Sequence, residues 1–439
     1  MTLYLHVDAL REEQEIILIK HNNLRSRWMY FKIMKFACHT RVTILYSVFS
    51  VSGCFTYDKA NKSMDMFAAL CKNKYMKNSI YGGENMENRH AVALEILHNG
   101  TVIPAIPLVL NKEREFDEQG QRKLIRYCLN AGVGGIAVAV HTTQFEIRDP
   151  KFNLFERVLK LSAEEISAYE QKTGKTIVRI SGVCGKSSQA CREANIAKTH
   201  GFDAVLLSPG GLQELTEKDL IQRTHAVASI MPVVGFYLQT ACGGRRLSFS
   251  YWKAVADTPN VVAIKCAAFN RYQTIDLVRG VAYSERRNEI ALYTGNDDNI
   301  VVDLLTPYRF NVAGETVELR FVGGLLGHWS VWTHRVVELY KRLSAYRDGR
   351  DIPAELLSLA VEVTDSNGAF FDVANQFTGS IPGVHEVLCS QGLMEGTWCL
   401  NPEEILSCGQ AEEISRVYQD YPMLNDDEFV RDHLQMCAE

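Results

Sequence analysis

A lysine directly follows a short apolar stretch of this sequence, and the stretch has the length of one buried strand. It runs from Val261 to Ile264, and Lys265 comes next. An amine at the end of a buried strand loses water, so its pKa falls and its neutral form can attack a carbonyl carbon. Strand alternation places Val261, Ala263 and Lys265 on one face, where the small Ala263 leaves room for the amine. The alternative is a lysine whose charged end extends into solvent.

Other groups with chemical capacity come at the ends of further apolar stretches. Tyr237 ends one of them, and its hydroxyl either moves protons or packs with its hydrogen bond satisfied. Thr142 and Thr143 follow another, and their hydroxyl and N–H groups either hold a carboxylate or form a locally bonded turn. Gly323 lies in a glycine-rich segment, where a ligand can approach the backbone unless the glycines only form a turn.

These residues must be positioned by elements that alternate regularly from residue 100 onward. Apolar stretches typical of buried strands are each followed by a stretch of helical periodicity, at spacings of about 27–30 residues. The predicted strands are Val102–Val109, Gly135–Val140, Thr176–Ile180, Ala204–Leu207, Pro232–Tyr237, Val261–Lys265, Ala291–Tyr293 and Leu319–Val322. The pattern predicts an α/β fold, a (β/α)8 TIM barrel, in which catalytic groups gather at the C-terminal ends of the strands.

A doubly wound sheet is the alternative architecture. Its glycine-rich turn would follow the first strand, whereas Gly132 and Gly134 precede the second predicted strand. We interpret this glycine cluster as a helix C-cap and turn.

The chain divides into three segments by its patterning. Residues 1–90 are rich in Lys, Met, Cys and aromatic residues with weak periodicity, which fits an accessory domain, a poorly ordered extension, or non-native sequence upstream of a start near Met86. Residues 91–345 form the predicted barrel. Residues 346–439 are predicted to be a helical C-terminal region, with loops at Asp365–Gly368 and Gly379–Gly383 and a solvated acidic tail.

Composition excludes several classes of function. The net charge of −5 gives no basic field for nucleic acid. The 12 cysteines include no CxxC pair, which is typical of reduced thiols. The sequence also contains no HExxH motif and no P-loop. From these observations we expect neither a metal nor a cofactor. The apolar stretch 42–55 is too short and polar for a membrane span, so a cytoplasmic protein is expected.

The combination of these features resembles the dihydrodipicolinate synthase and N-acetylneuraminate lyase family over residues 100–345. The resemblance is carried by Thr142-Thr143 after strand two, Tyr237 at the end of strand five, and Val262 to Lys265 on strand six. It implies a Schiff-base nucleophile at Lys265, proton transfer by Tyr237, a relay through Thr142, and carboxylate binding by Thr143.

Departures from the family pattern accompany the resemblance. His141 replaces a glycine before the threonines, and Pro209-Gly210-Gly211 replaces an aromatic pair. The family's carboxylate-binding arginine position holds Cys242, so Arg245 or Arg246 would have to serve from a shifted loop. A second substrate other than that of lysine biosynthesis is expected.

The resulting expectation is a Schiff-base-forming lyase or aldolase that acts on pyruvate or a related 2-oxo acid, with an aldehyde as a candidate second substrate. The resemblance also implies a homo-oligomer. Two alternatives stay open: a non-catalytic barrel that binds a small acid, and an unrelated barrel enzyme in which Lys265 is incidental.

Overall fold

The computed structural model describes residues 5–9, 14–20, 28–34, 80–347 and 351–438. The chain separates into two compact units, Met1–Glu84 and Asn85–Glu439. In the first unit, strands Leu5–Ala9, Gln14–Lys20 and Trp28–Met34 form an antiparallel sheet in chain order. The expectation of a poorly ordered or non-native segment over 1–90 falls largely outside the described residues and stays a prediction.

Eight parallel strands form a barrel in the second unit. Each strand pairs with its neighbours in chain order, and the eighth pairs with the first. A bridge between Ala105 and Ala137 joins the first strand to the second and closes the barrel. The predicted (β/α)8 fold is thus confirmed. The strands are Val102–Pro104, Gly135–Val138, Val178–Val183, Ala204–Leu207, Val233–Leu238, Val261–Ala267, Ala291–Thr294 and Phe321–Leu326.

Helices alternate with these strands and begin and end where the sequence supplies caps. Before the first of them, the Asp117 side chain accepts a hydrogen bond from the Gly120 N–H at 3.0 Å, and Gly132 ends that helix with a φ of 95°. The prediction of a C-cap at this glycine cluster is confirmed. The helices are Glu118–Ala131, Phe155–Thr173, Ser187–Thr199, Glu217–Ala228, Phe249–Asp257, Arg271–Ala282, Ile300–Leu305 and Thr333–Ser344.

The strands separate two apolar cores, one against the helices and one inside the barrel. Ile264 and Leu292 belong to the outer core, whereas Ala263 and Tyr293 belong to the inner one. Leu97 also joins the inner core, from the helix Ile80–Asn99 that precedes the first strand, and its carbonyl accepts a hydrogen bond from the Tyr293 hydroxyl at 2.8 Å. That helix therefore covers the N-terminal end of the barrel, which leaves the C-terminal end for chemistry.

The eighth strand was predicted too early in the chain. Leu319 belongs to an inserted hairpin of strands Tyr308–Val312 and Glu315–Leu319, and the barrel strand begins at Phe321. Gly323 consequently lies within the strand and not in a turn after it. A Cβ atom at this position would overlap the Thr101 carbonyl oxygen, so the glycine serves close packing of the two strands.

The C-terminal region is helical, as predicted. The loop expected over Asp365–Gly368 was wrong, and most of the loop expected over Gly379–Gly383 also lies in a helix. Its helices are Glu355–Phe370, Ser380–Ser390, Gln410–Asp420 and Asp427–Ala438. The segment 365–368 stays helical because Asn367 is buried and bonded to His328 at 3.2 Å. In the tail, Asp426 accepts a hydrogen bond from the Tyr127 hydroxyl at 2.7 Å, and Val430 is buried.

These C-terminal helices lie over the C-terminal ends of the barrel strands. The Thr364 hydroxyl donates to the Asp298 carbonyl at 3.2 Å, and the Phe269 and Phe377 rings meet with centroids 5.7 Å apart. The C-terminal end of the barrel is thereby partly covered by the chain itself. Within the described part of the chain, no helix has the length and apolar character that a membrane crossing requires.

Candidate active site

Lys265 lies inside the barrel, near the C-terminal end of the sixth strand. In register it stands between Phe236 on the fifth strand and Tyr293 on the seventh. Only 8% of the residue is exposed, and its Nζ atom lies 4.6 Å from the centroid of the Phe236 ring. A Cβ atom at Gly295 would overlap the lysine Cε atom, so this glycine leaves the side chain its space. The amine is therefore inside the protein and not at a solvent-exposed rim.

Burial changes the acidity of this amine. It lowers the pKa of Lys265 from 10.5 to about 8, against the opposing effects of Asp297 and Cys242. At pH 7 about a tenth of such amines are neutral, compared with about 0.03% at the ordinary pKa. Lys265 can therefore act as a nucleophile near neutral pH.

Asp297 supplies a carboxyl group beside this amine, just after the seventh strand. Burial raises the pKa of Asp297 from 3.8 to about 7, opposed by the Lys265 charge and assisted by Asp298. Its Oδ1 atom is buried without a hydrogen-bond partner among the described residues. Because these residues precede a helical stretch, the sequence predicts that Asn296, Asp297 and Asp298 cap a helix. No side-chain cap is formed at the helix Ile300–Leu305, however. The carboxyl is thus available for other contacts.

His141 and Cys242 complete the polar groups that Lys265 influences. Burial and the Lys265 charge lower the pKa of His141 to about 4, so its imidazole is neutral. Burial raises the pKa of Cys242 to about 11, and its sulfur accepts a hydrogen bond from the Gln239 amide at 3.4 Å. Around one amine the site therefore gathers a neutral imidazole, a protonated thiol and a carboxyl.

Tyr237 does not face Lys265. It pairs with Cys266, the next residue of the sixth strand, and so projects from the opposite face of the sheet. Its ring packs in the outer core against Trp252 at 5.1 Å between centroids, and its hydroxyl accepts a hydrogen bond from the Leu247 N–H at 3.2 Å. Burial also raises the pKa of this hydroxyl. The inward position that we expected for Tyr237 belongs to Phe236.

The paired threonines connect the second strand to the first. The Thr142 hydroxyl donates to the Ala105 carbonyl at 2.7 Å, and the Thr143 hydroxyl donates to the Ile106 carbonyl at 2.8 Å. The Thr143 N–H donates to the Val140 carbonyl at 3.0 Å. These contacts match the alternative of a locally bonded turn. The expected relay from Thr142 to Tyr237 is not formed in this arrangement.

Arg245 and Gly323 are also placed away from the amine. The Arg245 guanidinium donates to the carbonyls of Leu212, at 3.3 Å, and Leu215, so it holds the loop after the fourth strand. The space beside Gly323 is occupied by the Tyr293 ring and the Thr101 backbone. Neither residue is brought to Lys265.

The residues that do meet Lys265 were visible in the sequence but were given other roles. Asp297 and His141 each come three residues after the end of a barrel strand, and that position was the available signal. We gave Asp297 a capping role and treated His141 only as a departure from a pattern. Phe236 was hidden by its neighbour Tyr237, because spacing alone does not show which of two adjacent residues points inward.

Comparisons with known proteins agree with this architecture. The model of the dihydrodipicolinate synthetase family matches residues 98–307. No curated protein sequence matches the chain significantly.

Solved structures share the fold at low sequence identity. Dihydrodipicolinate synthase from Oceanobacillus iheyensis is 16% identical with a TM-score of 0.59, and the match covers 75% of this chain and 99% of that one. The chloride-inhibited synthase from Acinetobacter baumannii, complexed with pyruvate, is 20% identical with a TM-score of 0.59 over 74% and 99%. N-acetylneuraminate lyase from Fusobacterium nucleatum, also complexed with pyruvate, is 14% identical with a TM-score of 0.57 over 74% and 98%. The barrel segment 98–307 of this chain thus matches the dihydrodipicolinate synthetase family, and the solved structures share its fold.

Proposed function

We propose that this protein is a Schiff-base-forming lyase or aldolase that acts on pyruvate or a related 2-oxo acid, with Lys265 as the nucleophile. The observation that supports it is the buried Lys265 amine, whose pKa is about 8, inside the C-terminal half of the barrel. The match of residues 98–307 to the dihydrodipicolinate synthetase family supports the same class of chemistry. Two structures of similar fold are complexes with pyruvate, which supports a 2-oxo acid as the substrate class.

The chemistry follows from a neutral amine in a dry site. Lys265 attacks the ketone carbon, and loss of water leaves an iminium ion. This ion withdraws electrons from the neighbouring carbon, so a bond one carbon further out breaks or forms through an enamine. No metal or cofactor is needed, because the iminium ion itself accepts the electron pair.

The second substrate is proposed to differ from that of lysine biosynthesis. Cys242 stands where the family resemblance places a carboxylate-binding arginine, and Arg245 is engaged with backbone carbonyls of another loop. An aldehyde stays the candidate second substrate. Homo-oligomeric assembly, a cytoplasmic location and the division at residues 90 and 345 also stay predictions.

Reductive trapping tests the proposal. Incubation with pyruvate and borohydride should attach the reduced three-carbon acid to Lys265, as read by peptide mass spectrometry. Lys265→Ala should give no adduct, whereas the control Lys186→Ala, at an exposed lysine, should trap like the wild type. If a panel of 2-oxo acids leaves Lys265 unmodified while the protein is folded, the proposal is wrong.

A non-catalytic barrel that binds a small acid is the second candidate. The position of Tyr237 favours it, because the hydroxyl that the family resemblance assigns to proton transfer is bonded to the Leu247 N–H instead. Thermal stabilisation by 2-oxo acids without any trapped imine would select this candidate over the first.

A further inference from the structure

We propose that Asp297 gives and takes the proton at the imine on Lys265, in the role that the family resemblance assigns to Tyr237. This inference rests on the proposed function. It names a catalytic residue that neither the family pattern nor the sequence spacing selects.

The backbone brings the two residues together. The sixth and seventh strands pair directly, with Lys265 opposite Tyr293. Gly295 lies two residues after Tyr293, and its missing side chain leaves space for the Cε atom of Lys265. Asp297 lies two residues after Gly295. The carboxyl and the amine are close enough for the charge of each to change the pKa of the other.

The carboxyl of Asp297 is built into this place without a structural task of its own. The residue is 7% exposed, and its Oδ1 atom has no hydrogen-bond partner among the described residues. A buried carboxyl oxygen without a partner is costly unless a ligand or a reaction uses it. Its neighbour Asn296, by contrast, is fully engaged, since its side chain bonds Phe269 and Asp303.

The other polar groups near Lys265 are poorly suited to proton transfer at neutral pH. His141, with a pKa of about 4, carries almost no proton to donate, and Cys242, with a pKa of about 11, is a weak acid. The hydroxyls of Thr142 and Thr143 already donate to backbone carbonyls. A carboxyl whose pKa is near 7 is both a usable acid and a usable base there.

Asp297 acts first as an acid and then as a base in the proposed reaction. The Lys265 amine adds to the ketone, and one amine proton moves to the oxygen to give a carbinolamine. The protonated Asp297 donates its proton to that hydroxyl, the C–O bond breaks, water leaves, and the iminium ion and the Asp297 carboxylate remain. The carboxylate then removes a proton from C3 of the substrate, which yields the neutral enamine and restores the acid.

Imine formation with pyruvate, followed by cyanoborohydride trapping in a single turnover, tests the assignment. Asp297→Asn keeps the shape but loses the acid, and it should slow trapping by about 100-fold or more, the usual contribution of a positioned acid. The controls Asp298→Asn and Tyr237→Phe should stay within about threefold of wild type. Exchange of the pyruvate methyl protons with deuterium, followed by NMR, reports the base step separately and should fall in Asp297→Asn alone.

Further variants distinguish proton transfer by Asp297 from a merely structural role. Asp297→Glu, which keeps the acid, should recover part of the rate and exchange, whereas a merely structural role would give no such recovery. The assignment is wrong if Asp297→Asn traps pyruvate and exchanges its methyl protons at wild-type rates. It is also wrong if these rates fall in Tyr237→Phe or His141→Gln instead. A wild-type protein that traps no 2-oxo acid overturns the proposed function itself, and the inference with it.

Discussion

The rate at which Lys265 forms an imine should pass through a maximum at about pH 7.5, midway between the two pKa values that govern it. In the proposed mechanism, attack requires the neutral amine of Lys265, whose pKa is about 8. Loss of water requires the protonated carboxyl of Asp297, whose pKa is about 7. The rate therefore falls below pH 7, where the amine gains its proton, and above pH 8, where the carboxyl loses its own.

The size of the effect follows from these values. At pH 7.5 about a quarter of the amines are neutral and about a quarter of the carboxyls are protonated, so about 6% of the molecules hold both forms. Each further pH unit in either direction lowers that population by up to about tenfold. An exposed lysine with an ordinary pKa would instead continue to gain reactivity until about pH 10.5.

The assay is single-turnover trapping with pyruvate between pH 5.5 and 10. Asp297→Asn should lose the decline at high pH, because the acid is gone. The rising limb should stay where it is, because the Asp297 carboxyl is already protonated and uncharged below pH 7. A wild-type profile that rises without a maximum up to pH 10 would refute this reasoning.

Three further predictions concern the same residues. Lys265→Met should raise the free energy of unfolding at pH 7 by up to about 3 kcal/mol, since folding no longer lowers the pKa of a buried amine. In urea titrations this gain should shrink as pH rises from 8 to 10.5, where the wild-type amine becomes neutral in both states. Gly295→Ala should abolish trapping while the protein stays folded by circular dichroism, because the added methyl overlaps the Lys265 Cε atom. Thr143→Val should cost about 1–3 kcal/mol in urea unfolding, because the buried Ile106 carbonyl loses its donor, and Thr143→Ser should lose less.

The sequence by itself determined the architecture. Uniformly apolar strands alternate with helical stretches, which a barrel and a doubly wound sheet both require. The glycine cluster favoured the barrel, because it precedes the second strand instead of following the first. Lys265 could be placed inside because it directly follows a buried stretch and shares a face with Ala263. These are local properties, which period and spacing report directly.

Which residues meet Lys265 was decided only by the tertiary structure. The pairing of the fifth and sixth strands is irregular at Val233 and Val234, and Val261 lies in the outer core, not on the face of Ala263 as alternation had predicted. A shift of one residue moves every following side chain to the other face. For this reason Phe236 and not Tyr237 faces the amine. The Asp297 carboxyl, which the sequence predicts as a helix cap, instead influences the pKa of that amine.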